Sequence, residues 1–564
     1  MSVFNQKEKY WHGPEIAKNP IFNPNNGVAD ILFDALSSHP DQIAQINADN
    51  DNRIAFHEIL EKSINVAENL KSAGYRQGDV FSIISRNNED SAPVVFGTIF
   101  LGAVLNTLDV SLDESDLCHI FDNLRPKLIF VDLICLMKVK AVLTELKITS
   151  KIIIFDESQS QIPNVRSLFH QPDISSSPIF KIEPILNPQT RIAFILCTSG
   201  ITGPNKFVCL SHAQIISEVL RLWNWSVTAS DVTFSFSSLF WVSGLANLLI
   251  ATVKGASRII TQRNYSSDLL FELMEKYKLT QICLANACIA DFISNKKIEN
   301  VDFGSLKHVI IGGSIVCDEI KAEFRKKLEK FKTKVVEVYG FIEIGSLVTS
   351  TRHGSKKGSC GIVATQNLVK IINEKGKNLG PGEVGEICAK NTCRFLGYFN
   401  DEDLTKQAVD SNGWIKSGDL GFFDEDGFLF IKGKIKELIK LKGITISPET
   451  IESTIQQNLK IAQVCAVRIN EPRQPEDMPA LVIKLPENYP LTKEEVVEKV
   501  HELLPDELSL KGGVYFVETF PMTPSGKVKR GALKELAENS YREQLKKVEK
   551  ERRKQEPAPM YFLS

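Results

Sequence analysis

The sequence predicts an α/β protein: a large N-terminal domain of α/β sheet subdomains plus a β subdomain, then a small α+β domain and a charged tail. Three observations predict it. Apolar, β-branched runs alternate with amphipathic stretches over most of the 564 residues, the pattern of parallel strands joined by helices. After about Lys370 short strands and turn signals take over, at Gly376, Gly380-Pro381-Gly382 and Asp424-Glu425-Asp426-Gly427, which suggests antiparallel pairing. A lysine-dense segment, Lys432 to Lys442, then leads into a self-contained α/β pattern of one small domain's size.

In chain order, strands are expected at Lys151 to Phe155, Arg191 to Leu196, Gln281 to Ala285, His308 to Ile311 and Lys334 to Val338. Helices are expected at Ser266 to Lys276 and Asp318 to Lys330, where apolar residues recur every three or four positions. Beyond the lysine-dense segment come a helix Pro448 to Asn458, strands Val464 to Arg468 and Ala480 to Ile483, a helix Lys493 to Leu504 and a strand Gly513 to Val517. The domain boundary falls near 432 to 436, dividing residues 1–433 from 434–535. The tail 536–564 continues a stretch, Lys534 to Gln555, that carries eight basic and five acidic residues and reads as a solvated helix or a disordered segment.

Composition narrows the function classes. Hydrophobic residues are 43% and charged residues 24%, so the chain is globular rather than fibrous or low-complexity. Lys+Arg 67 against Asp+Glu 69 leaves a net charge of -2, with no whole-chain field to draw it onto nucleic acid or anionic lipid. Eleven cysteines without a C-x-x-C pair suggest reduced thiols in a cytosol-like compartment rather than disulfides or a zinc site. No signal peptide is visible at the N-terminus, and the longest apolar stretch, Val94 to Leu105, falls well short of the roughly 20 residues that span a bilayer. No repeat of 20 to 50 residues is evident, which disfavours solenoids and propellers.

Four segments carry candidate chemistry. At Arg191 to Lys206 an apolar strand runs into Thr198-Ser199-Gly200-Ile201-Thr202-Gly203-Pro204-Asn205-Lys206. Such a loop offers backbone N–H groups, hydroxyls and an ammonium to a polyphosphate; read alone, it is either a phosphate cradle or a structural turn. It is not a Walker A loop, because Asn205 precedes the lysine and Phe207 follows it. Glu337-Val-Tyr339-Gly340-Phe341-Ile342-Glu343 presents a ring able to stack on a base, a glycine permitting close approach, and a hard oxygen ligand for Mg²⁺; it is equally a strand end with a surface acid. Ser417-Gly418-Asp419 places a carboxylate at a glycine turn, suited to two ribose hydroxyls. Pro524-Ser525-Gly526-Lys527 is either a charged turn or a lysine delivered to a site.

The order of these segments, with Lys434-x-Lys436-Glu-Leu-Ile-Lys440-x-Lys442-Gly443 between the last two, resembles the acyl-adenylate-forming superfamily in its 4-coumarate:CoA ligase and firefly-luciferase-like branch. The resemblance runs from about Val28 to Leu533, and smaller blocks agree: Gly102 to Asn106, Ile311-Gly312-Gly313, Leu379 to Glu386 and Gly397-Tyr-Phe-Asn400. It implies a large domain that binds ATP and a carboxylic acid, and a small mobile domain that turns between an adenylating and a thioester-forming pose, with CoA as the second co-substrate. By the same resemblance, Thr198, Ser199, Gly200, Thr202, Gly203 and Lys206 would hold phosphates, and Glu343 would help hold Mg²⁺. Tyr339 and Gly340 would pack at adenine, and Asp419 would bind the ribose, with Lys434 nearby. Lys527 would stabilise charge in adenylation and Lys440 would serve the thioester step. Lys436 would be the hinge, and Trp241, Gly312 and Gly313 would lie at the acyl pocket.

Several positions depart from the family pattern. Ile201 stands for a threonine, Pro204-Asn205 for x-Pro, Phe207 for the loop's closing glycine, and Ile342 for a threonine before the acid. Gly433-Lys434 replaces Asp-Arg at the domain junction, suggesting a more permissive swivel, and Trp241 replaces a histidine. The expected function is an ATP-dependent ligase joining a hydrophobic fatty or aryl acid to CoA. A non-catalytic or weakly active ligand-binding relative, and a luciferase-like monooxygenase, are the alternatives. Cytoplasm is the expected compartment; peroxisomal relatives often end in S-K-L, and this chain ends Phe562-Leu563-Ser564.

Overall fold

A computed structural model describes the chain except residues 1, 16–24, 158–160, 172–179, 199–204, 224–226, 287, 315–317, 442–443, 460, 462, 470–476, 486–489, 505–507, 509, 523–527 and 556–564. The chain divides into two compact units, the first running to Ile431 and the second from Lys432, apart from two short segments. As the alternation of strand and helix patterns predicts, the large unit is mixed α/β.

Two of its sheets are mainly parallel. One has the order Phe207–Ser211, Ile192–Cys197, Val104–Leu108, Val80–Ile84, Leu128–Val131, Lys151–Ile154. All neighbours are parallel except the first pair. The apolar stretch from Val94 fits here without a membrane: it is the last part of helix Ser91–Phe100, every residue of which is buried, and the strand Val104–Leu108. A strand covered on both faces has no polar side, so it reads as a continuous apolar run. The second sheet has nine strands, with Lys334–Gly340, His308–Gly312, Gln281–Ala285, Val232–Ser235, Ser257–Ile260 and Ile43–Asn47 parallel in its middle. Antiparallel strands close both its edges.

The third sheet is the β subdomain. Leu368–Ile372, Gly385–Lys390 and Ile415–Phe423 pair antiparallel, and the N-terminal strand Tyr10–His12 joins the outer edge of the first. This last pairing covers an edge that would otherwise expose unpaired backbone. Element ends match the sequence reading to within about two residues: the helix expected from Ser266 starts at Ser267, with the Ser266 hydroxyl accepting from the Leu269 N–H at 3.2 Å as its cap.

In the small unit, Gln463–Ile469 and Gly513–Phe516 flank Met478–Lys484, antiparallel and parallel to it respectively. The central strand alternates faces with period two. Leu481 and Ile483 pack with Ile451, Ile455, Val496 and Val500 of helices Pro448–Asn458 and Lys493–Leu503. Ala480 and Val482 pack with Leu533 and Ala537 of helix Arg530–Gln555. Tyr541 of the same helix packs against this cluster, while Leu536 and Leu545 are exposed.

Candidate functional site

The loop of the first motif closes as the neck of a hairpin. Cys197 pairs with Phe207 across the antiparallel strands. At the next position the Thr198 N–H donates to the Lys206 carbonyl at 2.9 Å and the Lys206 N–H donates to the Thr198 hydroxyl at 3.1 Å. Ser199, Gly200, Thr202 and Gly203 lie outside the described residues, as does Ile201. Two departures from the family pattern are built into the packing. Asn205 is buried; its amide donates to Asp116 at 3.1 Å, and its carbonyl accepts from the His119 ring at 3.0 Å. Phe207 is 5% exposed in an apolar cluster with Cys197, Cys209 and Phe240. Burial pushes both neighbouring thiols up to about 12, so Cys197 and Cys209 are unreactive side chains here.

Lys206 is joined to Glu343 through a residue that the sequence reading noted only as part of a block. The Lys206 ammonium lies 5.1 Å from the centre of the Tyr398 ring, and the Tyr398 hydroxyl donates to Glu343 Oε1 at 2.8 Å. The turn that carries Glu343 is held from below by helix His212–Trp223. Gln214 donates to the Glu343 carbonyl at 3.0 Å, Arg221 donates to the Ile344 carbonyl at 3.5 Å, and the buried Glu218 binds both Arg221 and the Ser346 hydroxyl. These three polar residues share one helix face at spacings of four and three. Ile342 packs against the large core cluster, where the hydroxyl of a threonine would gain nothing apolar.

Tyr339 and Asp419, from separate motifs 80 residues apart, meet: the phenol donates to Asp419 Oδ2 at 2.8 Å. Burial, reinforced by the Asp419 charge, raises the Tyr339 pKa well above its ordinary value, so the phenol stays a donor. Asp419 is 7% exposed, and its own N–H donates to Ser417 at 3.0 Å. Gly340 follows at a register shift between the strands; a β-carbon there would overlap the Ser346 carbonyl oxygen, so only glycine fits. Gly312 pairs with Val338, one residue before Tyr339, and a β-carbon on it would come within 2.8 Å of the Val338 oxygen. Gly313 follows with φ +90.

Trp241 caps helix Val242–Lys254 and sits edge-on to Phe240 at 5.1 Å, half-buried against the cluster that holds Phe207. The preceding loop is pinned to the first sheet, with Thr107 donating to the Leu239 carbonyl and Ser238 to Asp109, each at 2.7 Å.

In the small unit, Lys440 is exposed between buried Ile439 and Leu441 of a hairpin, and its backbone N–H donates to Asp477 at 2.7 Å. Lys434 and Lys436 are exposed at the one-turn helix Ile435–Glu437. Lys527 lies outside the described residues; on either side of it, Met522 bridges to Val528, and the Lys529 N–H donates to the Pro521 carbonyl at 2.8 Å. Gly433 has φ +133, and a β-carbon there would lie 2.7 Å from Ser447 Cβ and 2.8 Å from Glu449 Oε2, so glycine is required by the backbone as built.

The sequence reading missed the acidic cluster around Arg530, whose residues come from three separated segments. Glu437, Glu449 and Glu452 lie within 3.6, 3.8 and 2.5 Å of its guanidinium. Burial first, then the Glu452 charge, raises the Glu449 pKa to about 7.

One hard carboxylate, linked to Lys206 through Tyr398, is a donor that would suit Mg²⁺ arriving with a nucleotide, because that ion keeps water and phosphate oxygens as its other ligands. Among the described residues no group of three or more His, Cys, Asp or Glu could hold a metal by itself, and Glu343 fits the shared arrangement. No helix among the described residues is long and apolar enough to cross a membrane.

Comparison with known proteins identifies the family. The family model described as AMP-binding enzyme matches residues 32–399, and the one described as AMP-binding enzyme C-terminal domain matches 450–527. A probable 4-coumarate–CoA ligase of Dictyostelium discoideum is 28% identical over 92% of this chain and 96% of its own. A luciferin 4-monooxygenase of Photuris pensylvanica is 26% identical over 93% and 98%. Among solved structures, an anthranilate CoA ligase in complex with anthranoyl-AMP shares the fold with a TM-score of 0.82, covering 93% of this chain and 99% of its own at 19% identity. The chain belongs to the AMP-binding enzyme family.

Proposed function

We propose that this AMP-binding enzyme is an ATP-dependent carboxylic acid:CoA ligase acting on a hydrophobic fatty or aryl acid. The observation that carries the reading is the meeting of separate motifs: Lys206 and Glu343 on one tyrosine, and Tyr339 on Asp419. The relatives' names, CoA ligases and acyl-CoA synthetases, support the same class.

In the first half-reaction an oxygen of the substrate carboxylate attacks the α-phosphorus of ATP and pyrophosphate leaves. Thr198 to Lys206 would hold the β- and γ-phosphates, and Asp419 would accept the ribose hydroxyls beside Tyr339 and Gly340, with Lys434 as a nearby cation. Mg²⁺, carried in with the nucleotide and held by Glu343, would offset phosphate charge. Lys527 would meet the carboxylate and α-phosphate as negative charge builds. In the second half-reaction the CoA thiol attacks the acyl carbonyl and AMP leaves, with Lys440 serving that step after movement at Lys436. Gly312, Gly313 and Trp241 would border the acyl group, the indole adding apolar surface. The departures at Asn205, Phe207 and Ile342 are absorbed in packing, which favours a working enzyme over a disabled relative. The setting we propose is cytoplasmic.

The test is pyrophosphate release with ATP and Mg²⁺ over a panel of fatty and aryl acids, with and without CoA. Acid-dependent release followed by acyl-CoA formation is expected. Binding of acid and ATP with no turnover would replace the ligase with a non-catalytic binder, and adenylate formation with light but no thioester would replace it with a monooxygenase.

A further inference from the structure

The Gly397-Tyr398-Phe399 block has no part in the chemistry above, yet its tyrosine touches the two groups that would meet the polyphosphate and its metal. We propose that Tyr398 is a positioning residue for Mg·ATP: its hydroxyl orients the Glu343 carboxylate and its ring seats the Lys206 ammonium, so that metal ligand and phosphate cation are preset against each other. The proposal rests on the ligase reading and names a residue through which that site is organised.

The backbone gives Tyr398 little freedom. Gly397 to Phe399 lines the outer edge of strand Phe207–Ser211, which begins at the residue after Lys206. The Cys209 N–H donates to the Gly397 carbonyl at 3.1 Å, the Phe399 N–H donates to the Phe207 carbonyl at 2.8 Å, and Val208 bridges to Tyr398. The Tyr398 N–H donates to the Thr405 hydroxyl at 2.9 Å. The side chain is 6% exposed and meets Phe395 edge-on at 5.4 Å. A ring fixed on the strand that follows Lys206 therefore ties the place of that lysine to Glu343.

The chemistry suits the task. The phenol hydroxyl donates to Glu343 Oε1 at 2.8 Å. It fills one lone-pair direction on Oε1, and a carboxylate keeps Oε2 and the remaining directions for a metal. The ring face meanwhile offers the ammonium a partner that does not neutralise it, unlike a carboxylate.

The experiment measures ATP binding by calorimetry in EDTA and across a Mg²⁺ series, using the full chain as wild type, Tyr398→Phe and Tyr398→Leu, with circular dichroism confirming that each is folded. Tyr398→Phe keeps the ring and loses the hydroxyl. It is expected to leave ATP affinity in EDTA within about twofold of wild type and to need about tenfold more Mg²⁺ for the same gain in affinity, the size expected for losing one hydrogen bond to a carboxylate. Tyr398→Leu removes both contacts and is expected to weaken ATP binding in EDTA as well. A Tyr398→Phe protein with lower thermal stability but an unchanged Mg²⁺ series would make the residue structural and overturn the proposal. Wild type that binds ATP neither with nor without Mg²⁺ would overturn the ligase reading, and this proposal with it.

Discussion

Replacing Tyr339 with phenylalanine tests the nucleotide-binding half of the site through one bond. The substitution keeps the ring that would lie at adenine and deletes the hydroxyl that donates to Asp419 Oδ2 at 2.8 Å. Because Asp419 is only 7% exposed, water does not readily replace the lost donor. A hydrogen bond to a charged group contributes about 1.5–3 kcal/mol, and that is the expected loss of stability for Tyr339→Phe. Urea unfolding should show it as a lower midpoint at an unchanged slope. A double-mutant cycle with Asp419→Ala isolates the pair: if the bond is made as described, the double variant loses less than the sum of the singles by at least about 1 kcal/mol. ATP binding should weaken in the Asp419→Ala protein and far less in Tyr339→Phe, since a carboxylate with several acceptor directions serves both a phenol and a ribose. Additive single losses, or ATP affinity indifferent to Asp419, would refute the reasoning.

Other expectations follow from the small unit. Glu449 faces Glu437, Glu452 and Arg530, and its carboxyl is raised from 4.5 to about 7. The folded chain therefore keeps a proton that the unfolded chain releases, and stability falls as pH rises between about 4.5 and 7, by at most about 1.4 kcal/mol per pH unit from this group. Denaturation of Glu449→Gln at pH 5, 6 and 7 should lack this contribution, and an identical slope in wild type and variant would sink the assignment. Gly433→Ala should cost about 1–3 kcal/mol from its φ of +133 and the crowding at Ser447 and Glu449; hydrogen exchange in helix Pro448–Asn458 would accelerate, and no change would count against a required glycine. Under the proposed mechanism, Lys527→Ala should slow pyrophosphate release by about 10²-fold or more, while Lys440→Ala should slow acyl-CoA formation from supplied acyl-AMP more than it slows pyrophosphate release. Equal losses at both steps in both variants would contradict the separation of roles.

Much of the architecture was readable because periodicity is a local property. The strand Gln281–Ala285 and the helix Pro448–Asn458 have the bounds their apolar patterns predict. Residue types also flagged Tyr339, Glu343 and Asp419 as separate candidates. What joins them is not local: Tyr398 reaches Glu343 across 55 positions, and no pattern in either segment announces the other. The same holds for Arg530, whose acidic partners precede it by 78 to 93 positions. The residues at Asn205, Phe207 and Ile342 are legible in the sequence only as departures from a pattern; that the first two are buried and the third half-buried, and what they pack against, depends on tertiary neighbours.

The burial of Phe207 also sets the order in which this loop could be rebuilt. A glycine after the loop lysine would vacate a site shared with Phe240, Cys197 and Cys209, and truncating a core phenylalanine costs about 3–5 kcal/mol, a large part of the margin by which a typical domain stays folded. The aromatic residue is thus entrenched. A glycine becomes acceptable only after neighbouring side chains have grown to refill its volume, so redesign of the phosphate loop has to begin underneath it.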